Sequence, residues 1–483
     1  MLFNSFDFAV FLPIVFFLYW CIRSSHWRIQ NALIVLASYI FYGWWDKRFL
    51  ILIIFSTILD FAIGWRLGKE NDKEKRKYLL WISIGANLGL LFFFKYFNFF
   101  LDNFITAFSF LGIQWNTQSL SIILPVGISF YTFQTLSYTI DVYRRKLTPT
   151  RDLLAFAAFV SFFPQLVAGP IERATHLLPQ FKAPRSFDYD KAVDGMKQIL
   201  WGLFKKMVIA DNCAEYANLI FDHSDEYSGV ILALGAFFFA FQIYGDFSGY
   251  SDIAIGTSRL FGFDLRQNFA FPYFSRNIAE FWRRWHISLS SWFVDYIYIP
   301  LGGSRGSMGM VVRNTFIIFL LSGFWHGANW TFIAWGALNA LYFLPLLLLK
   351  TNRNHLDIVA AGRYLPTLKE FFQMMTTFLL TLFAWIFFRA ESIEHALNYI
   401  LNMMTQAPFA HAELLAEDTL KVVLILITVF LAIEWVGRDG RYALENIDSN
   451  QSYFFKIIFY SFIIFSIGMY AQTNETPFLY FQF

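Results

Sequence analysis

The strongest constraint on this chain is the number of its long apolar runs. Stretches near the length a helix needs to cross a bilayer, about 20 residues, occur at roughly 6–22, 30–45, 49–66, 78–100, 120–141, 153–168, 228–245, 313–349, 370–388, 420–436 and 455–471. The 313–349 run is long enough for two elements, with a break near Gly327. With short and interrupted segments included, the pattern gives about ten to thirteen membrane segments. Of 483 residues, 57% are hydrophobic, 21% aromatic and only 15% charged. That is more apolar surface than a soluble chain of this size can bury. The fold class is therefore an all-α polytopic membrane protein. A helix satisfies its own backbone in hydrocarbon, whereas a membrane β-barrel shows short alternating segments.

The net charge of +3 is small for the length and argues against a nucleic-acid partner. Cys21 and Cys213 are far apart and form no CxxC or Cys/His cluster. Neither a disulfide framework nor a metal site is expected. The N-terminus lacks the basic region and small-residue cleavage site of a signal peptide and reads as a retained first span. The short segment "RLGKENDKEKRKY" (66–78) is crowded with Lys and Arg and marks the cytoplasmic side. Counting spans back from it puts "RSSHWR" (23–28) on that side and the N-terminus outside. "VYRRKLTPTR" (142–151) fits the cytoplasmic side as well.

The chain reads as one integral membrane domain: scaffold helices over 1–119, a core over 120–349 and further scaffold helices over 350–483. In the core, glycines and polar residues interrupt the apolar runs. Such backbone at membrane depth survives only where protein or a water-filled cavity surrounds it. No internal repeat of the kind found in many transporters is visible.

Ionisable residues in apolar runs are costly and usually functional. His326 lies in "FIIFLLSGFWHGANW" (316–330). On a continuous helix Ser322 and Asn329 would share its face and fix which ring nitrogen keeps the proton. Gly323 and Gly327 form a GxxxG pair that admits a close neighbour. His286 lies in "FWRRWHISLSSW", where helical spacing puts Arg283 and Ser290 on its face. Arginines there attract anions. The alternative is an interfacial helix with Trp282, Trp285 and Trp292 at headgroup level. Asp246 and Asp252 sit in "YGDFSGYSD" with Ser248 and Ser251. An Asp at the bilayer centre costs about 2.5–3.5 kcal/mol. The pair implies a broken helix that lines a polar cavity, with the carboxylates binding substrate or capping the break. His26, His176, His223, His355, His395 and His411 are in polar, loop-like contexts.

"GGSRG" (302–306) matches the G-x-S-x-G nucleophile elbow around Ser304, but that motif needs a strand–turn–helix in a soluble sheet. No Walker loop or HExxH occurs. A buried histidine without metal or activated Ser/Cys suits general-base work on a hydroxyl. On local sequence, catalysis and interhelical glue are both open for it.

Five motifs together resemble the membrane-bound O-acyltransferase (MBOAT) family: "PVGISFYTFQTLSY", "FFPQLVAGPI", "YGDFSGYSDIAIG", "FWRRWHISLSSWFVDYIYIPLGG" and "SGFWHGANWTFIAWG". They look most like its bacterial alginate O-acetyltransferase branch, as do "MLFNSFDFAVFLPIVFFLYW" at the start and "PFLYFQF" at the end. The resemblance implies helices ringed around a thinned centre, reached by funnels from both faces. It makes His326 the catalytic histidine and His286 the second functional one. It implies no bound cofactor, acetyl-CoA as cytoplasmic acyl donor and an extracytoplasmic polysaccharide acceptor in the bacterial cytoplasmic membrane. It also implies a separate extracytoplasmic or membrane-anchored acetyltransferase of the SGNH type as partner. Two other readings stay open: D-alanyl transfer to teichoic acid in the same fold, and a transporter or flippase that uses the same polar residues as a pathway.

Overall fold

A computed structural model of the chain describes residues 1–110, 119–167, 169–227, 229–405, 412–447, 451–472 and 478–479. His411, most of the terminal "PFLYFQF" and residues 168 and 228 at two expected span ends lie outside them. Among the described residues the regular structure is helical, with no strand. The chain divides into one unit of Met1–Tyr189 with Ser258–Leu265 and another of Asp190–Thr257 with Arg266–Phe483. Among the described residues, eight helical stretches are long and apolar enough to cross a membrane. Two of them, Ser24–Lys69 and Lys73–Phe110, each hold two α-helices, and the apolar helix Phe6–Cys21 falls below that length. The chain is thus a multi-pass membrane protein.

The first unit contains α1 (Phe6–Cys21), α2 (Trp27–Asp46), α3 (Leu50–Lys69), α4 (Lys73–Leu91), α5 (Phe97–Phe110), α6 (Ile128–Tyr143) and α7 (Leu153–Ser161). Two expected spans are shorter here than their apolar runs. α6 starts late because Pro125 donates no hydrogen bond and Gly127 takes a left-handed backbone, φ +74. A Cβ on Gly127 would lie 2.7 Å from the carbonyl oxygen of Leu166. α7 stops at Ser161, just before Pro164. Between α3 and α4, Arg76 donates to the carbonyls of Leu67, Glu70, Val142 and Tyr143. The basic segments 66–78 and 142–151 therefore meet at one end of this unit.

The second unit contains α8 (Tyr189–Leu203), α9 (Asp211–Asp222), α10 (Gly229–Leu260), α11 (Ile278–Arg284), α12 (Ile287–Phe293), α13 (Met308–His326), α14 (Trp330–Leu348), α15 (Leu368–Arg389), α16 (Ile393–Thr405), α17 (Asp418–Gly437) and α18 (Tyr453–Tyr470). Short π-helical segments, Phe204–Ala210 and Val294–Tyr298, follow α8 and α12. α10 corrects the sequence reading. It runs unbroken for 32 residues through Asp246 and Asp252, so neither residue caps a break. The carboxylates are neutralised from the side by lysines, which lets the helix continue.

α13 and α14 form a tight antiparallel hairpin. The expected break falls at Gly327, the C-cap of α13, whose backbone is extended. A Cβ on Gly323 would collide with the carbonyl oxygen of Phe332, and one on Gly336 with that of Phe319. The backbones touch because both positions lack side chains. Gly336→Val should therefore destabilise the protein by roughly 1–3 kcal/mol. Gly468→Val, which meets nothing within 4 Å, should be close to neutral. Thermal unfolding of the two variants in detergent checks this.

Candidate active site

His326 is the last residue of α13 and is 3% exposed. Its ring lies 5.2 Å from the rings of Trp335 on α14 and Phe388 on α15, and 5.0 Å from that of Trp325. The imidazole is thus walled by aromatic faces that exclude water. His286 is 1% exposed and sits between α11 and α12 with φ 44 and ψ 54. A left-handed backbone at a residue with a Cβ costs on the order of 1–3 kcal/mol and clusters at functional sites. Its ring centroid lies 6.4 Å from that of His326, and Phe247 of α10 stacks edge-on to it at 4.6 Å. Two histidines forty positions apart in sequence thus share one buried pocket of aromatic rings.

The kink at His286 overturns one sequence expectation. Arg283 does not share a helix with it, because α11 ends at Arg284, whereas Ser290 lies on α12, which His286 caps, and its amide donates to the His286 carbonyl at 3.0 Å. Asn329 also departs from the expected face. α13 stops before it, and it caps α14 instead. Its Oδ1 accepts from the Thr331 amide at 3.1 Å, and its Nδ2 donates to the Glu391 carbonyl at 2.8 Å. Ser322 is placed as helical spacing expects, one turn before His326 and buried.

Ser322, Arg283 and Ser290 do come together, as walls of a cavity of about 710 Å3. Trp282, Ile287, Asp295, Tyr298, Phe319 and Phe343 are among the other residues that line it. The cavity reaches from Ser322 to Ser304, Asn352 and Arg353 in the loops that flank the α13–α14 hairpin. Arginines tie the 350–366 loop down through its backbone. Arg283 donates to the carbonyls of Asn352 and His355, both at 2.7 Å. Arg276 and Arg284 bind the Asp357 carbonyl at 2.8 and 3.1 Å. Arg438 binds those of Val359, Ala360 and Arg363. The Arg276 guanidinium also bonds the Asp357 carboxylate and holds it below the ordinary carboxylate range. Burial, with Arg276 nearby, lowers the pKa of the His355 imidazole. Ser304, the false nucleophile elbow, bonds Tyr298 at 2.9 Å in an exposed turn with no sheet behind it.

Asp246 and Asp252 are paired with lysines that the sequence reading passed over. Lys205 meets Asp252 at 2.5 Å, and Gln198 donates to the same carboxylate at 2.7 Å. Lys206 bridges Asp246 at 2.7 Å and Asp211 at 2.8 Å. Asp246 also accepts from the Leu479 amide at 2.7 Å. Ser248 is buried on α10 between the two acids. The available signal was "FKKM" inside an apolar run, two cations matching two nearby anions in number. Of the histidines expected in loops, His176 and His395 instead lie on helices. They are hydrogen-bonded to Glu172 at 2.8 Å and Ser224 at 3.1 Å.

Both histidines, the cavity loops and the whole hairpin fall within residues 147–388, which match the family model of the membrane-bound O-acyltransferases. The chain belongs to that family. It is 42% identical to the probable alginate O-acetylase AlgI of Pseudomonas aeruginosa over 82% of this chain and 73% of that one. It is 37% identical to the protein of the same name from Pseudomonas putida over 100% of both chains. It is 32% identical to the peptidoglycan O-acetyltransferase of Helicobacter pylori over 100% of this chain and 98% of the other. This MBOAT protein is therefore an acyltransferase, and the resemblance read from its motifs was to the right family.

Proposed function

We propose that this protein moves acetyl groups from cytoplasmic acetyl-CoA across the bacterial cytoplasmic membrane for O-acetylation of an extracytoplasmic polysaccharide. It needs no bound cofactor. A separate extracytoplasmic or membrane-anchored acetyltransferase of the SGNH type completes delivery. The observation that carries this reading is the buried pair of imidazoles, 6.4 Å apart, beyond the inner end of a cavity that Arg283 and Arg353 line. A thioester with a polyanionic carrier group suits a cavity with guanidinium groups on its wall and apolar surface deeper in.

In the reaction, His326 takes the proton of an acceptor hydroxyl as its oxygen attacks the thioester carbonyl. The C–S bond then breaks, and the imidazolium returns the proton to the departing thiolate. The acceptor is a sugar hydroxyl or a serine of the partner protein. His286 binds substrate or assists proton movement.

Charge supports the sidedness. The loops at the cavity end carry Arg305, Lys350, Arg353 and Arg363, and the adjoining ends of α13 and α15 add Arg313 and Lys369. Residues 390–405, which follow α15 at the other end of the hairpin, contain no Lys or Arg. The basic end belongs in the cytoplasm. Labelled acetyl-CoA added outside should therefore be consumed by inside-out vesicles and not by sealed right-side-out ones. Equal consumption by both overturns the orientation. Transfer from a D-alanyl carrier protein but not from acetyl-CoA overturns the donor.

A further inference from the structure

Asn268 lies in the irregular segment between α10 and α11 and is fully buried. Nothing in its sequence context marks it. Its side-chain oxygen takes three hydrogen-bond contacts: His286 Nδ1 at 3.1 Å, Ser288 Oγ at 2.9 Å and the Ser288 amide at 3.3 Å. Its Nδ2 donates to Ser251 Oγ of α10 at 3.1 Å. The backbone is engaged too. The Ile287 amide donates to the Asn268 carbonyl at 2.9 Å, and the Ala270 amide donates to the Arg284 carbonyl at 2.9 Å. These two bonds straddle Trp285 and His286, the residues of the kink.

The amide orientation follows from chemistry. A backbone N–H such as that of Ser288 can only donate, so the atom it meets is the oxygen. The ring nitrogen facing that oxygen must then carry its proton. In neutral His286 the lone pair is left on Nε2.

We infer that Asn268 is a positioning residue for His286. It clamps the left-handed turn, holds the ring's proton on Nδ1 and so makes Nε2 the basic nitrogen in the pocket shared with His326. This rests on the reading that His286 works in acyl transfer. The titratable group described beside the His286 ring is His326. On α10, Phe247 meets the ring, while Asp246 and Asp252 face Lys206 and Lys205. Trp325 and Phe269, which also pack on the ring, are uncharged.

The test uses the full chain in lipid nanodiscs, with acetyl-CoA cleavage followed across pH. Asn268→Leu removes the acceptor and should lower kcat by about 10²-fold or more, with KM for acetyl-CoA within threefold. Asn268→Asp keeps an acceptor for Nδ1 and Ser288 but adds a negative charge that favours the imidazolium. More of the histidine is then protonated at a given pH, so the acidic limb of the rate profile should move up by about one unit and activity should recover in alkali.

A folded Asn268→Leu protein with kcat within threefold of the parent overturns the proposal. So does an Asn268→Asp profile with an unmoved limb, which decides the matter if the leucine variant does not fold. Full activity in His286→Ala would instead overturn the role given to His286 itself. If the parent protein cleaves no acetyl-CoA, the donor assignment fails rather than Asn268. The same variants are then read by alkali-released ester on the envelope polysaccharide of expressing cells.

Discussion

His326→Ala is expected to reduce acyl transfer by about 10²–10⁴-fold, the range a positioned general base contributes, while membrane expression persists. The imidazole is buried at the end of α13, and its neighbours Trp325, Trp335 and Phe388 offer no other base. Removing it takes away the base assigned to the acceptor hydroxyl, and His286, whose ring centroid lies 6.4 Å away, is assigned to substrate binding or proton movement instead. His326→Gln keeps a planar polar group of similar size but no basic nitrogen, and should be equally inactive. That pair separates chemistry from packing, since interhelical glue would survive in the glutamine variant. The measurement is acetate released by mild alkali from the envelope polysaccharide, normalised to protein recovered as a single detergent-exclusion peak. Wild-type ester levels in either variant would remove His326 from the mechanism.

The second large effect concerns stability. Lys205→Met should destabilise the protein by about 3–5 kcal/mol, because it strands the Asp252 carboxylate in a buried site. Both partners are almost wholly inaccessible and 2.5 Å apart. The double variant Lys205→Met with Asp252→Leu removes both charges and should recover most of the loss, since buried pairs replaced by apolar groups are often neutral. The unfolding midpoint in detergent reads both effects, and ester transfer by the double variant reads whether activity survives with them. A folded but inactive double variant would return Asp252 to a substrate-binding role. An unaffected Lys205→Met variant would show that water already reaches the pair.

Much of the scaffold was legible because apolar length is a one-dimensional property. The runs at 30–45, 49–66, 370–388 and 420–436 reappear in α2, α3, α15 and α17 with ends shifted by a few residues. The break at Gly327 was legible too, since glycine followed by Asn329 is a stop and then a cap. What failed was any statement that assumed one helix continued through a site. Helical spacing gave Asn329 to His326 and Arg283 to His286, and both helices end between the members of the pair. The opposite error befell Asp246 and Asp252. They looked like helix breakers because their neutralising cations are remote from them in sequence. Asn268 carried no signal, since its partners lie 17 to 20 positions away and its neighbours are ordinary. Partners of that kind are fixed by the tertiary fold, which no local period encodes.

Apart from the Arg276–Asp357 pair, the arginines that hold the 350–366 loop grip carbonyl oxygens, which every residue type supplies. The loop's path is therefore largely indifferent to which side chains it carries. Arg353 or Leu356 at the cavity mouth can be exchanged in the course of evolution without unmooring the segment. The side chains at the rim can thus change without a change in the path of the backbone that carries them.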